Sequence, residues 1–228
     1  MKILQVYCAG AAKAVVSRVI AAYRKESGQE VEETYGAVGF LKDRMLAGGQ
    51  PDMVVLSAPL IQELTISGRL RAGSSALGAV GTGVAVRAGR PLPAVATEEA
   101  LRRCLLQAPA IICPDPAVAS AGQVLMQALA QLGIADEVAG RMEYSASGYA
   151  GMDRLASGQA EGEVGIMQVS EIVAYAAVSL AGSLPASLQK MTLYTAALAS
   201  DADATASVLF DRLTGAREEL TRAGFQSV

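Results

Sequence analysis

Short apolar runs alternate with helical segments along most of the 228-residue chain. The first run is "KILQVY" (residues 2–7), and "AAKAVVSRVIAAYRK" (11–25) follows it with apolar residues at helical spacing, stopping before Gly28. "QEVEETYG" alternates as a second strand, "GFLKDRMLAGG" forms a second helix, and "DMVVLSA" is a wholly apolar third strand. Continuous apolar strands between helices are typical of parallel sheets covered on both faces. The pattern predicts an α/β fold.

The second half repeats this pattern after a stretch of different composition. Residues 72–90 are rich in Gly and Ala, which predicts an extended crossover instead of a helix. The predicted order is then helix 97–106, strand "AIICPD", helix "GQVLMQALAQLG", a short strand near "RMEYS", helix "GYAGMDRLASG", strand "EVGIMQ", helix "SEIVAYA", strand "KMTLYTAAL" and one final helix, "ATASVLFDRLTGAREELTRAG". We predict two lobes, residues 1–81 with 195–228 and residues 82–194, each a mostly parallel sheet flanked by helices, with two crossovers forming a hinge.

Composition excludes several classes of function. The chain contains no histidine, which removes Ser-His-Asp and Cys-His catalysis and His-ligated zinc. Cys8, Cys104 and Cys113 fit neither a disulfide framework nor a Cys-x-x-Cys site, so we expect buried thiols and no metal or cofactor. The net charge of −3 with scattered Lys and Arg argues against a nucleic-acid partner. No run reaches the roughly 18 apolar residues that a spanning helix needs.

The start of the chain bears on its compartment. "MKILQVYCAG" enters a strand at once, without the basic segment, apolar run and small-residue cleavage site of a signal peptide. We expect a periplasmic protein if a signal peptide has been removed, and a cytoplasmic protein otherwise. We also expect a monomer that does not insert into a membrane.

The loops that follow the predicted strands are the expected place for a binding site. In open parallel sheets, ligands lie beyond the carboxyl ends of the strands, where loops lead into helix N-termini. Small residues let a ligand approach the main chain, and free N–H groups at a helix start attract an anion. The loops are rich in small or hydroxyl residues: "CAGAA" (8–12), "YGAVG" (35–39), "SAPL" (57–60), "PDPAVASAG" (114–122), "YSASGY" (144–149) and "QVSEI" (168–172).

The order of these pieces resembles the molybdate-binding protein family, the substrate-binding components of ABC importers with a type 2 periplasmic-binding fold. The matching stretches are "VYCAGAAKAV", "YGAVGFLKDRMLAGGQPDMVVLSAP", "PDPAVASAGQVLMQALAQLGIADEV", "LASGQAEGEVGIMQVSEI" and the terminal "AGF". In that family the second and third carry Gly-Ser-Ser-Gly-x-Leu, then Pro-x-Asp, and Asp-Pro-x-x-x-Pro-Ala-Gly. The resemblance implies a solute-binding protein that captures an anion in an interlobe cleft by hinge closure. It also implies a membrane subunit of an ABC transporter as a partner.

The chain departs from the family at the positions that bind molybdate. The family's serine hydroxyls of the first two loops fall on Ala11 and on Ala37 and Val38, and its later tyrosine falls on Gln168. The third loop keeps Asp115, Pro116, Ala121 and Gly122, with Ser120 in place of a proline. Each missing partner of a buried oxyanion costs on the order of 1–3 kcal/mol. We therefore predict a small organic carboxylate as the ligand instead of molybdate.

The predicted ligand contacts come from the loops of both lobes. They are Gly10, Ala11, Tyr35, Ala37, Val38, Ser57, Ser120, Ala121, Gly122, Ser147, Gly148, Tyr149 and Gln168. Gln168 is predicted to end its strand, where its carboxamide offers a donor and an acceptor. Ser170 is predicted to be the N-cap of the next helix, with Glu171 in its first turn. Packing is the alternative role for the two tyrosines, and loop-amide capping is the predicted role of Asp115.

Two classes of function remain open, a binding protein and an isomerase. Some proteins that resemble this fold and its Gln-x-Ser-Glu ending isomerise small tricarboxylates such as aconitate. Shifting a double bond needs a base to remove a carbon-bound proton, and without histidine the candidates are Asp115, Glu143, Glu171 or a tyrosine. None of them lies in a catalytic motif, so we assign no catalytic residue and rank binding first. An effector-sensing module, of the kind fused to transcription factors, is a third alternative on fold alone.

Overall fold

The structure is a computed structural model that describes residues 2–158 and 160–228. The chain divides into two units. Unit 1 contains the chain up to Val80 together with Thr192–Val228, and unit 2 contains Gly81–Met191. No helix in the described part of the chain has both the length and the apolar character that a membrane crossing needs.

The elements alternate between strands and helices through both units. The first half contains β1 (Leu4–Ala9), α1 (Lys13–Ser27), β2 (Val31–Gly36), α2 (Val38–Leu46), β3 (Met53–Ser57), α3 (Ala58–Ile66), β4 (Ser75–Val80) and β5 (Thr82–Arg87). The second half contains α4 (Glu98–Gln107), β6 (Ile111–Pro114), α5 (Ser120–Leu132), α6 (Ala135–Val138), β7 (Met142–Ser145), α7 (Gly148–Ser157), β8 (Val164–Gln168), α8 (Val169–Val173), β9 (Val178–Ser183), β10 (Thr192–Leu198), α9 (Ala204–Gly215) and α10 (Arg217–Arg222).

Unit 1 contains a five-stranded sheet in the order β2-β1-β3-β10-β4. The strands β1, β2 and β3 are parallel, and β10 runs antiparallel to both of its neighbours, pairing Thr192 with Val80. Every residue of β3 is buried, as its continuous apolar sequence predicts for a strand inside a covered sheet. Gly28 ends α1 with φ of 68°, a left-handed conformation that glycine adopts without strain.

Unit 2 contains a second five-stranded sheet, in the order β7-β6-β8-β5-β9. The strands β6, β7 and β8 are parallel, and β5 runs antiparallel to β8 and β9. The predicted α/β fold with two layered halves is therefore confirmed, and both sheets are mixed because each contains one reversed strand.

The two faces of the unit 2 sheet pack against different helices. On one face, Val84 and Ile166 belong to a cluster with Leu125 and Leu129 of α5. On the other face, Ala85 and Met167 cluster with residues of α7. The alternation along β5 and β8 therefore sorts each of their side chains to the α5 face or the α7 face.

Several elements differ from the sequence-based prediction. The extended crossover at 72–90 is confirmed as extended backbone, and it forms the two strands β4 and β5. The strand β9 was not predicted, because "VSLAGS" contains small residues and pairs only at the edge of the sheet, with β5. The prediction of a single final helix is wrong. The helix α9 ends at Gly215, a poor helix former, and Ala216 leaves the helical region with ψ of 46°. The break brings Phe225 edge-on to Tyr194.

Close packing of α5 against the loop after β6 depends on Gly122. A side chain at Gly122 would overlap the carbonyl oxygen of Pro114 and approach the main chain of Pro116, with 2.8 Å to its nitrogen. These neighbours are backbone atoms, so the loop cannot move aside without disturbing β6 or α5.

We predict that Gly122→Ala lowers the free energy of unfolding by about 1–3 kcal/mol, because overpacking against main chain outweighs the roughly 1 kcal/mol that alanine gains in a helix. Urea denaturation measures the change. The matched control is Gly140→Ala, where an added methyl group meets nothing within 4 Å. Equal stability of the two variants would contradict this account of Gly122.

Candidate functional site

In unit 1, three strand ends lie side by side. Ala9 at the end of β1 pairs with Gly36 at the end of β2, and Cys8 pairs with Val55 of β3. A helix follows each strand almost at once: a 3₁₀ turn (Gly10–Ala12) leads into α1, and α2 and α3 follow β2 and β3. The sheet therefore gathers three helix starts at one edge of unit 1.

These helix starts are not capped by side chains. The residues at the cap positions of the 3₁₀ turn, α2 and α3 are Ala9, Ala37 and Ser57, and none of them makes a side-chain cap hydrogen bond. The predicted contacts Gly10 and Ala11 are buried in the 3₁₀ turn, and Val38 is the first residue of α2. The structure thus brings the predicted contacts of the first three loops together beside uncapped helix N-termini, which favour an anion.

Tyr35 is held by residues of its own unit. Its hydroxyl donates to the carboxylate of Glu33, which lies two residues earlier on β2, and the Lys13 ammonium lies 5.3 Å from its ring centroid. Burial, with smaller contributions from Cys8 and Glu33, raises the pKa of Tyr35 far above its ordinary value. The phenol therefore stays protonated at neutral pH. A ligand contact by Tyr35 stays a prediction.

In unit 2, the carboxyl ends of β6, β7 and β8 form a similar edge. Pro114 pairs with Ser145, and Ile112 pairs with Gly165. The helices α5, α7 and α8 begin after these strands. The predicted contacts Ser120, Ala121, Gly122, Ser147, Gly148, Tyr149 and Gln168 all lie at or within two residues of these helix starts.

The start of α7 is occupied by groups of the protein itself. The hydroxyl of Ser147 accepts a hydrogen bond from the N–H of Ala150, at 3.2 Å. The carboxylate of Glu171 lies against Gly148, where any added side chain would collide with it, and Glu171 is only 5% exposed. An internal carboxylate thus lies at the positive end of α7. Tyr149 packs edge-on against Tyr175, with ring centroids 6.1 Å apart.

The start of α5 is different. Its cap position is Ala119, which has no side chain able to accept from the first turn. Asp115 accepts from the N–H of Ala117 at 2.8 Å, which confirms its predicted role with the loop amides. The first turn of α5, which begins at Ser120, therefore keeps N–H groups that no cap side chain satisfies.

The end of β8 corrects one prediction. Gln168 ends its strand as predicted and is 3% exposed, but α8 begins at Val169, so Gln168 itself occupies the cap position. The prediction that Ser170 is the N-cap is wrong, because the strand passes into the helix without an intervening residue. Glu171 lies in the first turn of α8, as predicted.

Thr82 is a candidate that the sequence analysis missed. It is the first residue of β5, pairs directly with Gln168 across the sheet, and is 0% exposed. By the alternation of β5, Thr82 lies on the same face as Val84 and Val86, which belong to the apolar cluster that includes residues of α5. The available signal was a polar residue in an otherwise apolar alternation, in "TGVAV".

The buried cysteine thiols are uncharged. Cys8 and Cys113 are buried, and burial raises the pKa of both thiols, to about 12 for Cys113. They are therefore protonated at neutral pH, as inert buried thiols are. Among residues 2–158 and 160–228, no group of three or more His, Cys, Asp or Glu side chains could hold a metal ion.

Comparisons with known proteins identify the family of the chain and support its fold. A family model described as "Bacterial extracellular solute-binding protein" matches residues 4–226, and the chain belongs to that family. The periplasmic molybdate-binding protein of Azotobacter vinelandii is similar in structure, with a TM-score of 0.83 over 99% of both chains at 19% identity. The predicted resemblance to molybdate-binding proteins with a type 2 periplasmic-binding fold is confirmed.

Two further relatives extend the comparison. The sulfate-binding protein SubI of Mycobacterium tuberculosis H37Rv has a TM-score of 0.74 over 100% of this chain and 88% of its own, at 20% identity. An aconitate isomerase of a Pseudomonas species is 26% identical over 210 residues, which is 86% of this chain and 76% of that protein.

We predict that Glu171→Ala lowers the free energy of unfolding by about 1–3 kcal/mol, because it removes the buried carboxylate that lies against Gly148 at the positive end of α7. Thermal or chemical unfolding measures the loss. The control is Glu161→Ala, whose side chain is 85% exposed and forms a surface ion pair with Arg90, and there we expect a change within about 0.5 kcal/mol. A harmless Glu171→Ala would argue against this internal role.

Proposed function

We propose that the protein binds a small organic anion carrying carboxylate groups, and that capture and release of this solute is its function. The proposal goes beyond family membership by naming the ligand class. It includes hinge closure, in which loops of both units contact the same ligand.

The observation that carries the proposal is the set of helix starts without side-chain caps. They include the starts of α2 and α3 in unit 1 and of α5 in unit 2. Main-chain N–H groups at a helix start bind an anion without a cationic side chain, and the helix dipole favours the negative charge. The small residues Gly10, Ala37 and Ala121 leave room for the ligand to reach the main chain.

A carboxylate fits these loops better than a tetrahedral oxyanion. The molybdate-binding proteins that the chain resembles supply hydroxyls where this chain has the methyl groups of Ala11, Ala37 and Val38. Their tyrosine is replaced by Gln168. An oxyanion enclosed there would lack several hydrogen bonds, each costing about 1–3 kcal/mol. An organic anion places apolar carbon against these methyl groups instead.

The class of protein also supports a proposal about the partner and the compartment. The family is one of extracellular solute-binding proteins. We propose that the chain acts outside the cytoplasm and delivers its solute to a membrane subunit of an ABC transporter.

We predict that citrate, trans-aconitate or succinate raises the melting temperature in a concentration-dependent way, whereas molybdate and sulfate do so weakly. A ligand that binds only the native state contributes about 2.7 kcal/mol at 100 times its Kd, which a thermal-shift assay detects readily. The matched variant combines Ala11→Ser with Ala37→Ser, which restores two hydroxyls and should increase stabilisation by molybdate. Strong stabilisation of the unmodified protein by micromolar molybdate would refute the ligand class.

Isomerisation is the second candidate, favoured by the similarity to the aconitate isomerase. The three carboxylates proposed as bases all have partners or neighbours in unit 2: Asp115 accepts from Ala117, Glu143 pairs with Arg154 at 2.8 Å, and Glu171 lies against Gly148. The raised pKa of Tyr35 keeps its phenol protonated at neutral pH, so no phenolate is available there as a base. These contacts support binding as the first candidate.

We predict that trans-aconitate incubated with the protein at neutral pH keeps its double bond in place over hours, as followed by proton NMR. Exchange of the carbon-bound protons with deuterated solvent is the more sensitive measurement, because it detects proton removal even without net conversion. Exchange faster than in a protein-free sample would establish the isomerase instead. In that case Glu171→Gln and Asp115→Asn would identify the base.

A further inference from the structure

The hydroxyl of Thr82 is buried without a hydrogen-bond partner among residues 2–158 and 160–228. The main chain of the same residue is fully engaged. Its N–H donates to the side-chain oxygen of Gln189 at 2.9 Å, and its carbonyl accepts from the Gln189 amide at 2.7 Å and from the N–H of Leu184 at 3.1 Å. Thr82 is therefore held firmly in place by its main chain, while its hydroxyl makes no hydrogen bond within the described part of the chain.

A buried hydroxyl without a partner destabilises the folded state, and valine would fill the same space without that disadvantage. The remainder of the α5-facing series on β5 is in fact valine, at Val84 and Val86. The exception falls at the end of the strand that lies beside the candidate site.

The direction of the Thr82 side chain is set by the alternation of β5. Val84 lies on the α5 face, and Gly83 lies on the opposite face, where an added side chain would meet Leu180 and Val169. Thr82 therefore projects to the α5 face. Gln168, directly opposite on β8, projects to the same face because Ile166 does.

The start of α5 lies at this same edge and on this same face. The helix follows β6, which runs parallel to β8, so the carboxyl ends of both strands lie at the same edge. The helix also covers the face that carries Val84 and Ile166. Three kinds of donor are thus directed to one corner of unit 2: the Thr82 hydroxyl, the Gln168 carboxamide and the N–H groups at the start of α5. All three are neutral, which suits a carboxylate group that is held by hydrogen bonds alone.

We infer that Thr82 is a ligand-binding residue whose hydroxyl donates to a carboxylate oxygen of the solute, at a subsite completed by Gln168 and the start of α5. This inference rests on the proposed function, since it names the residue that recognises one carboxylate of the ligand. The hydroxyl is retained in a buried strand because the bound solute satisfies it.

The test compares Thr82→Val with Thr82→Ser in the full chain. Isothermal titration calorimetry with citrate, trans-aconitate and succinate measures affinity, and thermal unfolding without ligand measures stability. We expect Thr82→Val to lose about tenfold or more in affinity for the carboxylate that binds, because a hydrogen bond to a charged group is removed. Its melting temperature without ligand should equal or exceed that of the unmodified protein. Thr82→Ser should keep most of the affinity.

A second control is Val84→Thr, which adds a hydroxyl on the same face but farther from the edge. It should lower the melting temperature and leave affinity unchanged, which separates a ligand-binding hydroxyl from one that is merely buried. Unchanged affinity of Thr82→Val, or a clear loss of its stability without ligand, would overturn the inference and leave the proposed function intact. An unmodified protein that binds none of the three carboxylates would overturn both.

Discussion

Parallel pairing of neighbouring strands is the constraint on which both candidate edges depend. Because β1, β2 and β3 run together, and β6, β7 and β8 do the same, the helices that follow them must begin at one edge of each sheet. The cap position then decides whether a side chain satisfies the first main-chain N–H groups of such a helix. Ala37 and Ala119 have no side chain that could accept from the main-chain N–H groups of α2 and α5. At the start of α7, Ser147 accepts from a main-chain N–H and the carboxylate of Glu171 lies against Gly148.

The polar groups of unit 2 are accordingly divided between the two faces of one sheet. On the α7 face, the carboxylate of Glu171 lies at the start of α7 and Ser147 caps that helix. These contacts favour a structural role for Ser147 and Gly148. On the α5 face, Thr82 and Gln168 lie side by side near a helix start without a side-chain cap. Within unit 2, an internal carboxylate thus lies at the start of α7 on one face, whereas the start of α5 on the other face has no side-chain cap.

The sequence predicts what depends on strong, repeated patterns. The apolar run "DMVVLSA" and the helical spacing of 11–25 correspond to β3 and α1, and the loops that follow the strands are the ones that meet at the two edges. It does not predict what depends on tertiary pairing. The weak strand β9 exists because β5 offers it an edge, and Thr82 gains its position only when β5 pairs with β8. The contact of Glu171 with Gly148 joins two helices that no local pattern connects.

Gln189 fastens the main chain of Thr82 within unit 2, close to the point where the chain leaves unit 1. On one side Val80 is paired with Thr192 in unit 1, and on the other Thr82 is fastened to Gln189 in unit 2. Between these pairs lie Gly81, whose carbonyl accepts from the N–H of Val169 at 2.9 Å, and Lys190 with Met191. The chain thus passes from one unit to the other within one residue at the first connection, and within two residues at the second.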